Sequence, residues 1–256
     1  MKLTVDIGNS VIGVALFKDN TIIKTFAFET RKNEQYDHYY LTLGNLLAHF
    51  DEHLVIKKAI IGSVVPSLTL ILKRVLEALF ATEVIVVEPG IKTGIVLKVD
   101  HPLEVGADIV ACAAGAFKFG PGPFIIIDLG TANKYIYVDE KSVFHGVAIS
   151  AGLKTSFDAL ISDADQLLSV PFFVPKNVIG KNTKDALASG ALYGLLSEIE
   201  GFVSLIQKEV GQEPMILLTG GNAEYVKDIV QKDYKYEPAL VHYGLLKIME
   251  KNTYEK

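Results

Sequence analysis

Leu3-Thr4-Val5-Asp6-Ile7-Gly8-Asn9-Ser10 opens the chain, and Ile125-Ile126-Ile127-Asp128-Leu129-Gly130-Thr131-Ala132 says nearly the same thing 122 residues later. Each is a short run of mostly β-branched apolar residues that ends in an acid, a glycine and a small polar residue. A second apolar run follows each, Val11 to Phe17 and Tyr135 to Val138. Both then reach a polar turn, Lys18-Asp19-Asn20 and Asp139-Glu140-Lys141, and a third strand. The spacing predicts a three-stranded meander used twice, once in each half of the molecule. Two acid-glycine-hydroxyl or amide turns facing one another would make a clamp for phosphate and metal. The glycine admits a phosphate close to the backbone, neighbouring amides and hydroxyls bond its oxygens, and the carboxylate holds the metal. A nucleotide-handling protein is the first reading.

Composition narrows the alternatives. Half of the 256 residues are hydrophobic, enough for two cores, yet no apolar run reaches the length of a membrane span. The first residues enter a strand directly, without the charged and apolar regions of an export signal, so a cytoplasmic protein is expected. Cys112 is the only cysteine, which excludes an internal disulfide and a cysteine-based metal site; in its Ala-rich surroundings it reads as core. Net charge is −5 and no basic run tracks a nucleic-acid backbone, so neither nucleic acid nor membrane is expected as a partner.

Along the chain, three strands to about Phe28 lead to a helix at His38–Phe50 and a strand at Lys58–Ile61. A helix at Ser67–Leu79, with Ser67 as its N-cap, and a strand at Val84–Val87 follow. Phe119-Gly120-Pro121-Gly122-Pro123 is the densest breaker cluster and marks a boundary between lobes of residues 1–120 and 121–256. Beyond it, three strands run to about Ile149. Helices are expected at Thr155–Leu168, Thr183–Glu209 and Ala223–Ile229, with a strand at Met215–Leu218 before Thr219-Gly220-Gly221. The pattern is α/β: two related lobes, each a sheet with helices, and a cleft between them.

Chemistry gathers at the strand ends. Asp6 with Gly8, Asn9 and Ser10 suits Mg²⁺ and phosphates, against the plainer reading of a hairpin whose Asp and Asn favour the turn. The second copy, with Gly130 and Thr131, and the glycine-rich end at Gly220 and Gly221 weigh against coincidence. Glu104-Val105-Gly106-Ala107-Asp108 precedes a helix of small residues. Asp108 there could simply complement the helix dipole. Gly106 and Ala107, however, clear space around a carboxylate that could accept a proton from a substrate hydroxyl at a cleft wall.

In order, Asp6-Ile-Gly-Asn9-Ser10, Gly62-Ser-Val-Val-Pro66, Gly90-Ile-Lys-Thr-Gly94, Pro102-Leu-Glu-Val-Gly-Ala-Asp108, Asp128-Leu-Gly-Thr-Ala132, Gly146-Val-Ala-Ile-Ser-Ala-Gly152, Ile179-Gly-Lys-Asn-Thr183 with Ser189-Gly190, and Thr219-Gly-Gly221 resemble the type III pantothenate kinases. These belong to the acetate and sugar kinase/Hsp70/actin superfamily. The resemblance implies duplicated actin-like (ribonuclease H-like) lobes, each a mixed sheet with helices. It also implies ATP-dependent phosphorylation of the primary hydroxyl of pantothenate to 4′-phosphopantothenate, the first step toward coenzyme A. By motif position, Asp6 would organise Mg²⁺, and Gly8, Asn9, Ser10, Gly130, Thr131, Gly220 and Gly221 would meet the nucleotide. Asp108 would be the general base, and Asp128 would hold a monovalent cation, K⁺ or NH₄⁺. Val99, Gly106, Ala107, Asp108, Ile109 and Thr183 would surround pantothenate, Thr183 across the interface of a homodimer. The long helix around Ala186–Ile206 offers that interface, or is ordinary core.

Four departures from the family pattern surround the substrate residues. Ile109 stands where the family has arginine, and Asn133-Lys134 where it has two threonines. Val99 and His101 replace tyrosine and asparagine, and Val147 and Ala151 replace glycine and proline. Isoleucine cannot hold a carboxylate or phosphate as a guanidinium would. Lys134 would either supply a compensating cation or obstruct the cation and phosphate region. His101 reads as an exposed loop residue before Pro102. Beside a working pantothenate kinase, two readings therefore stay open: a kinase-like binding or regulatory protein with weak or no pantothenate turnover, and a related kinase for another small hydroxylated substrate.

Overall fold

The computed structural model describes residues 1–51, 53–162, 171–230 and 233–253. The chain divides into two units. Unit 1 comprises residues 1–96, 100–118 and those from Leu240 on; unit 2 comprises residues 97–99 and 119–239. The C-terminal helix thus belongs with the first unit, not with the half of the sequence that precedes it.

Unit 1 holds the strands β1 (Lys2–Ile7), β2 (Val11–Lys18), β3 (Thr21–Glu29), β4 (Lys58–Ser63) and β5 (Val84–Val86), ordered β3-β2-β1-β4-β5. β1 is antiparallel to β2 and parallel to β4. Alternation decides the faces. Leu3, Val5 and Ile7 pack with Leu43 and Leu47 of α1 (Tyr36–Phe50) and with Leu68 and Leu72 of α2 (Pro66–Phe80). Each such fully buried side chain contributes about 1.5–3 kcal/mol. Pro66 occupies the first turn of α2 and Val65 the cap, so Ser67 lies inside the helix and does not cap it.

Thr4 points to the other face, where its hydroxyl meets Nδ1 of buried His242 at 2.8 Å. His242 lies on α6 (Leu240–Asn252), an element that the sequence reading leaves out. α6 crosses α3 (Ala107–Ala116) at backbone distance: a Cβ on Gly244 would sit 1.7 Å from the Ala111 carbonyl oxygen, and one on Gly115 2.4 Å from that of Leu240. The small residues of α3, expected at a cleft wall, are therefore spent on this helix crossing, and Cys112 is buried among them as expected.

Unit 2 repeats the plan. β7 (Phe124–Leu129), β8 (Ala132–Val138), β9 (Val143–Ala151), β10 (Met215–Thr219) and β11 (Lys235–Tyr236) take the order β11-β10-β7-β8-β9, with the two-residue β6 (Val96–Leu97) added beyond β9. Ile125, Ile127 and Leu129 pack with Leu153 of α4 (Leu153–Ser162) and with Leu192, Leu195 and Ile199 of α5 (Thr183–Val210). That side of α5 is core; residues 163–168 of the expected Thr155–Leu168 helix lie outside the described residues. α5 starts where Asn182 caps it: the Asn182 Oδ1 accepts from the Asp185 amide at 2.9 Å. Gly211, at φ +65°, ends it. The helix expected at Ala223–Ile229 is instead a 3₁₀ turn, Gly221–Tyr225, because Ala223 and Val226 donate to carbonyls three residues back, those of Gly220 and Ala223.

Candidate active site

In unit 1 the site residues gather at the ends of β1 and β4. Asp6 lies opposite Gly13 on β2 and beside Gly62 on β4. The chain then turns: the Gly8 amide donates to the Val11 carbonyl at 3.0 Å, and Thr30, at the end of β3, grips the turn twice. Its hydroxyl donates to the Gly8 carbonyl at 2.8 Å and its amide to that of Ser10 at 2.9 Å. Asn9 Oδ1 accepts from the exposed Lys32 ammonium at 2.8 Å. Thr30 and Lys32 escaped the sequence reading, since a hydroxyl at the end of a third strand gives no local signal.

Asp108 joins this cluster through β4. The Val64 amide donates to the Ile7 carbonyl at 3.0 Å, and Val64 Cγ1 lies 3.4 Å from where a Cβ on Gly106 would be. That same Cβ would stand 2.5 Å from Asp108 Oδ1, so the glycine makes room for the carboxylate, as its spacing suggests. Asp108 Oδ1 accepts the Ile109 amide at 2.8 Å, which orients the side chain in the first turn of α3. Ile109 itself is 7% exposed. His101 lies exposed, just before the short turn Pro102–Glu104, and Val99 is half-buried.

In unit 2 the corresponding turn is braced more heavily. The Gly130 amide donates to the Ala132 carbonyl at 3.2 Å, and the Gly130 carbonyl accepts from Asn222 Nδ2 at 2.8 Å. The Thr131 carbonyl accepts the Gly152 amide at 3.0 Å and the Thr155 hydroxyl at 2.8 Å. Gly220 is required by its backbone, φ +91° and ψ 158°, and by space: a Cβ there would lie 2.6 Å from Asp128 Oδ1 and 2.5 Å from the Leu129 carbonyl oxygen. Asn222 and Thr155 were likewise missed. Thr183 is the exposed first residue of α5.

The two substituted threonine positions have separate fates. Asn133 turns to the α5 face, where its amide donates to the Ala151 carbonyl at 3.1 Å and to Glu198 at 3.3 Å. The Tyr135 hydroxyl donates to the same carboxylate at 2.7 Å, as does that of Ser150. Burial and this carboxylate push the Tyr135 hydroxyl pKa well up. Lys134 lies on the opposite face, directly across from Asp128 in the β7–β8 pairing, with its Nζ 2.7 Å from Asp128 Oδ2. The side chains of that pair are 17% and 15% exposed.

Among the described residues no three His, Cys, Asp or Glu side chains converge on a metal position. Mg²⁺ needs no such cage, since it keeps much of its water and is bound through one or two carboxylates and the substrate's phosphates. Asp6, opposite a glycine, fits that mode. Asp128 does not fit a monovalent cation in the same way, because the Lys134 ammonium already lies on its Oδ2.

Two sheets of one strand order, each with an acid-glycine turn at the end of its first strand, define the actin-like class. An archaeal actin homolog shares the fold at a TM-score of 0.55 and 11% identity, over 98% of this chain and 99% of that one. A candidate 2-dehydro-3-deoxygalactonokinase from Sinorhizobium meliloti does so at 0.61 and 13%, over 100% and 99%. The family model for type III pantothenate kinase matches residues 2–205. The type III pantothenate kinase of Acholeplasma laidlawii (strain PG-8A) is 40% identical over 252 residues, 98% of this chain and 99% of that protein. The chain belongs to the type III pantothenate kinase family.

Proposed function

We propose that the chain transfers the γ-phosphoryl group of ATP to the primary hydroxyl of pantothenate with Asp108 as the general base, giving 4′-phosphopantothenate and ADP. Its family membership makes it an ATP-dependent pantothenate kinase, acting at the first step toward coenzyme A. The observation that carries this reading is the match to pantothenate kinases along nearly the whole chain.

Phosphoryl transfer asks for alignment and charge neutralisation more than for covalent chemistry. Asp108, oriented by the Ile109 amide, accepts the hydroxyl proton as the oxygen attacks the γ-phosphorus and ADP leaves. Asp6 holds Mg²⁺, which when bound neutralises the charge on the phosphates. Gly8, Asn9, Ser10, Gly130, Thr131, Gly220 and Gly221 are the residues proposed to contact the nucleotide. Val99, Gly106, Ala107 and Ile109 border pantothenate, and Thr183 reaches it from the partner of a homodimer. A cytoplasmic location is part of this proposal, supported by the metabolic kinase family to which the chain belongs. Separately, no helix among the described residues is long and apolar enough to cross a membrane. No step is assigned to a monovalent cation on Asp128.

ADP release from Mg-ATP, measured with and without pantothenate, tests both parts. Release should depend on pantothenate, and Asp108→Asn should slow it about 10²-fold or more. Release indifferent to pantothenate would overturn the substrate, and an unchanged rate in the variant would remove Asp108 as the base.

A further inference from the structure

We propose that the Lys134 ammonium serves as a built-in monovalent cation beside the Gly130–Thr131 turn, so that this kinase needs neither K⁺ nor NH₄⁺. The inference rests on the kinase reading above. Four observations carry it. Lys134 is the residue directly opposite Asp128 in the hairpin, so the strand pairing itself brings the two side chains together on one face. Its Nζ lies 2.7 Å from Asp128 Oδ2, the separation of a charge-assisted hydrogen bond. Both side chains are more than four-fifths buried, which separates this pair from ordinary surface ion pairs that exchange freely with dissolved salt. Finally, the other carboxylate oxygen is hemmed in by the second glycine-rich strand end. Thr219 pairs with Asp128, and the space next to Oδ1 exists only because residue 220 has no Cβ.

A dissolved cation seeking Asp128 would have to displace the ammonium or accept a like charge beside it. The tethered ammonium, in contrast, carries the same single charge and needs no bulk concentration to stay in place. The turn that it serves is short. Gly130 is two residues from Asp128, and its amide closes onto the Ala132 carbonyl two residues before Lys134. A cation held there adds positive charge next to the turn proposed to meet phosphate, where it stabilises the charge that develops during transfer.

The test is the K⁺ dependence of the wild-type protein and of Lys134→Thr, with Lys134→Met as a second variant that keeps length without charge. ADP release is measured in tetramethylammonium buffer with K⁺, NH₄⁺ or neither. In parallel, the thermal shift caused by Mg²⁺ and a non-hydrolysable ATP analogue is measured under the same conditions. Wild-type rate and thermal shift should change less than about twofold on adding K⁺. The variants should lose about tenfold or more in rate without K⁺, together with most of the nucleotide-induced shift, and regain both with K⁺ or NH₄⁺. Saturable K⁺ activation of the wild type would overturn the proposal. So would variants that work equally well without K⁺, or variants that K⁺ does not restore. The thermal shift needs no acceptor, so the proposal is still decided if pantothenate is not phosphorylated.

Discussion

The ends of β1 and β7 are two copies of one device that differ in what lies across the hairpin. Asp6 looks across at Gly13, whereas Asp128 looks across at Lys134. The cause is a change of one residue in turn length. Gly8 closes onto the carbonyl of Val11, three residues on, and Gly130 onto that of Ala132, two residues on. Counted from the acid, the facing residue is the seventh in unit 1 and the sixth in unit 2. The first copy therefore has a residue without a side chain across the hairpin from its carboxylate. The second has its own cation in place. One scaffold occurs twice, and a one-residue difference in register gives the two carboxylates different neighbours across the hairpin.

Exchanging each acid for its amide breaks the comparison most forcefully. Asp6→Asn should show first as lost activity, about 10³-fold in kcat, because it removes charge from the proposed Mg²⁺ and phosphate region. Asp128→Asn should instead show first as instability, about 3 kcal/mol in urea titration, since it removes the negative charge from a mostly buried ion pair. Equal behaviour of the two variants in both measurements would show the two strand ends to be interchangeable.

Next in size is Gly220→Ala. Its backbone lies in a region almost confined to glycine, and the new methyl would meet Asp128 Oδ1 and the Leu129 backbone. A loss of about 2–3 kcal/mol in unfolding free energy is expected, with weaker binding of Mg-ATP. An alanine variant as stable as the wild type would show that the Asp128 niche is less confined than its contacts indicate.

The smallest effect sharpens the unit 1 side. A Cβ on Gly13 would lie 3.1 Å from His242 Nε2, so the imidazole underlies the residue that faces Asp6. Burial pushes its pKa down to about 4. The unfolded chain binds a proton there near the ordinary value of 6.5, and the folded chain resists until about 4. The stability from this neutral histidine is complete above pH 6.5 and drains away as pH falls toward 4, by a total on the order of 3 kcal/mol. His242→Asn should flatten that slope in unfolding titrations; a slope identical to wild type would place the acid sensitivity elsewhere.

What could be read from the sequence followed how local the signal was. Strand ends marked by Asp6 and Asp128 stand where the repeat put them, and α5 begins at Thr183 behind the Asn182 cap. Gly106 does open space for Asp108. Register was not legible, because Lys134 faces Asp128 only through a turn whose length the residues do not declare. The crossing of α3 and α6 was hidden for another reason. Gly115 and Gly244 matter only as a pair, and they stand more than a hundred residues apart. The burial of Ile109 could not be read either, because a residue in the first turn of a helix carries no local sign of what will cover it.

That helix crossing also sets the order in which the chain can be completed as it leaves the ribosome. α3 emerges early, but the helix that lies against it is made only after the whole of unit 2. At about 5–20 residues per second, roughly 6–25 s separate Ala116 from Leu240. During that interval the second unit, whose core draws on residues between Ile125 and Tyr236, can close on itself. The first unit cannot complete the α3–α6 crossing until the last helix has been made.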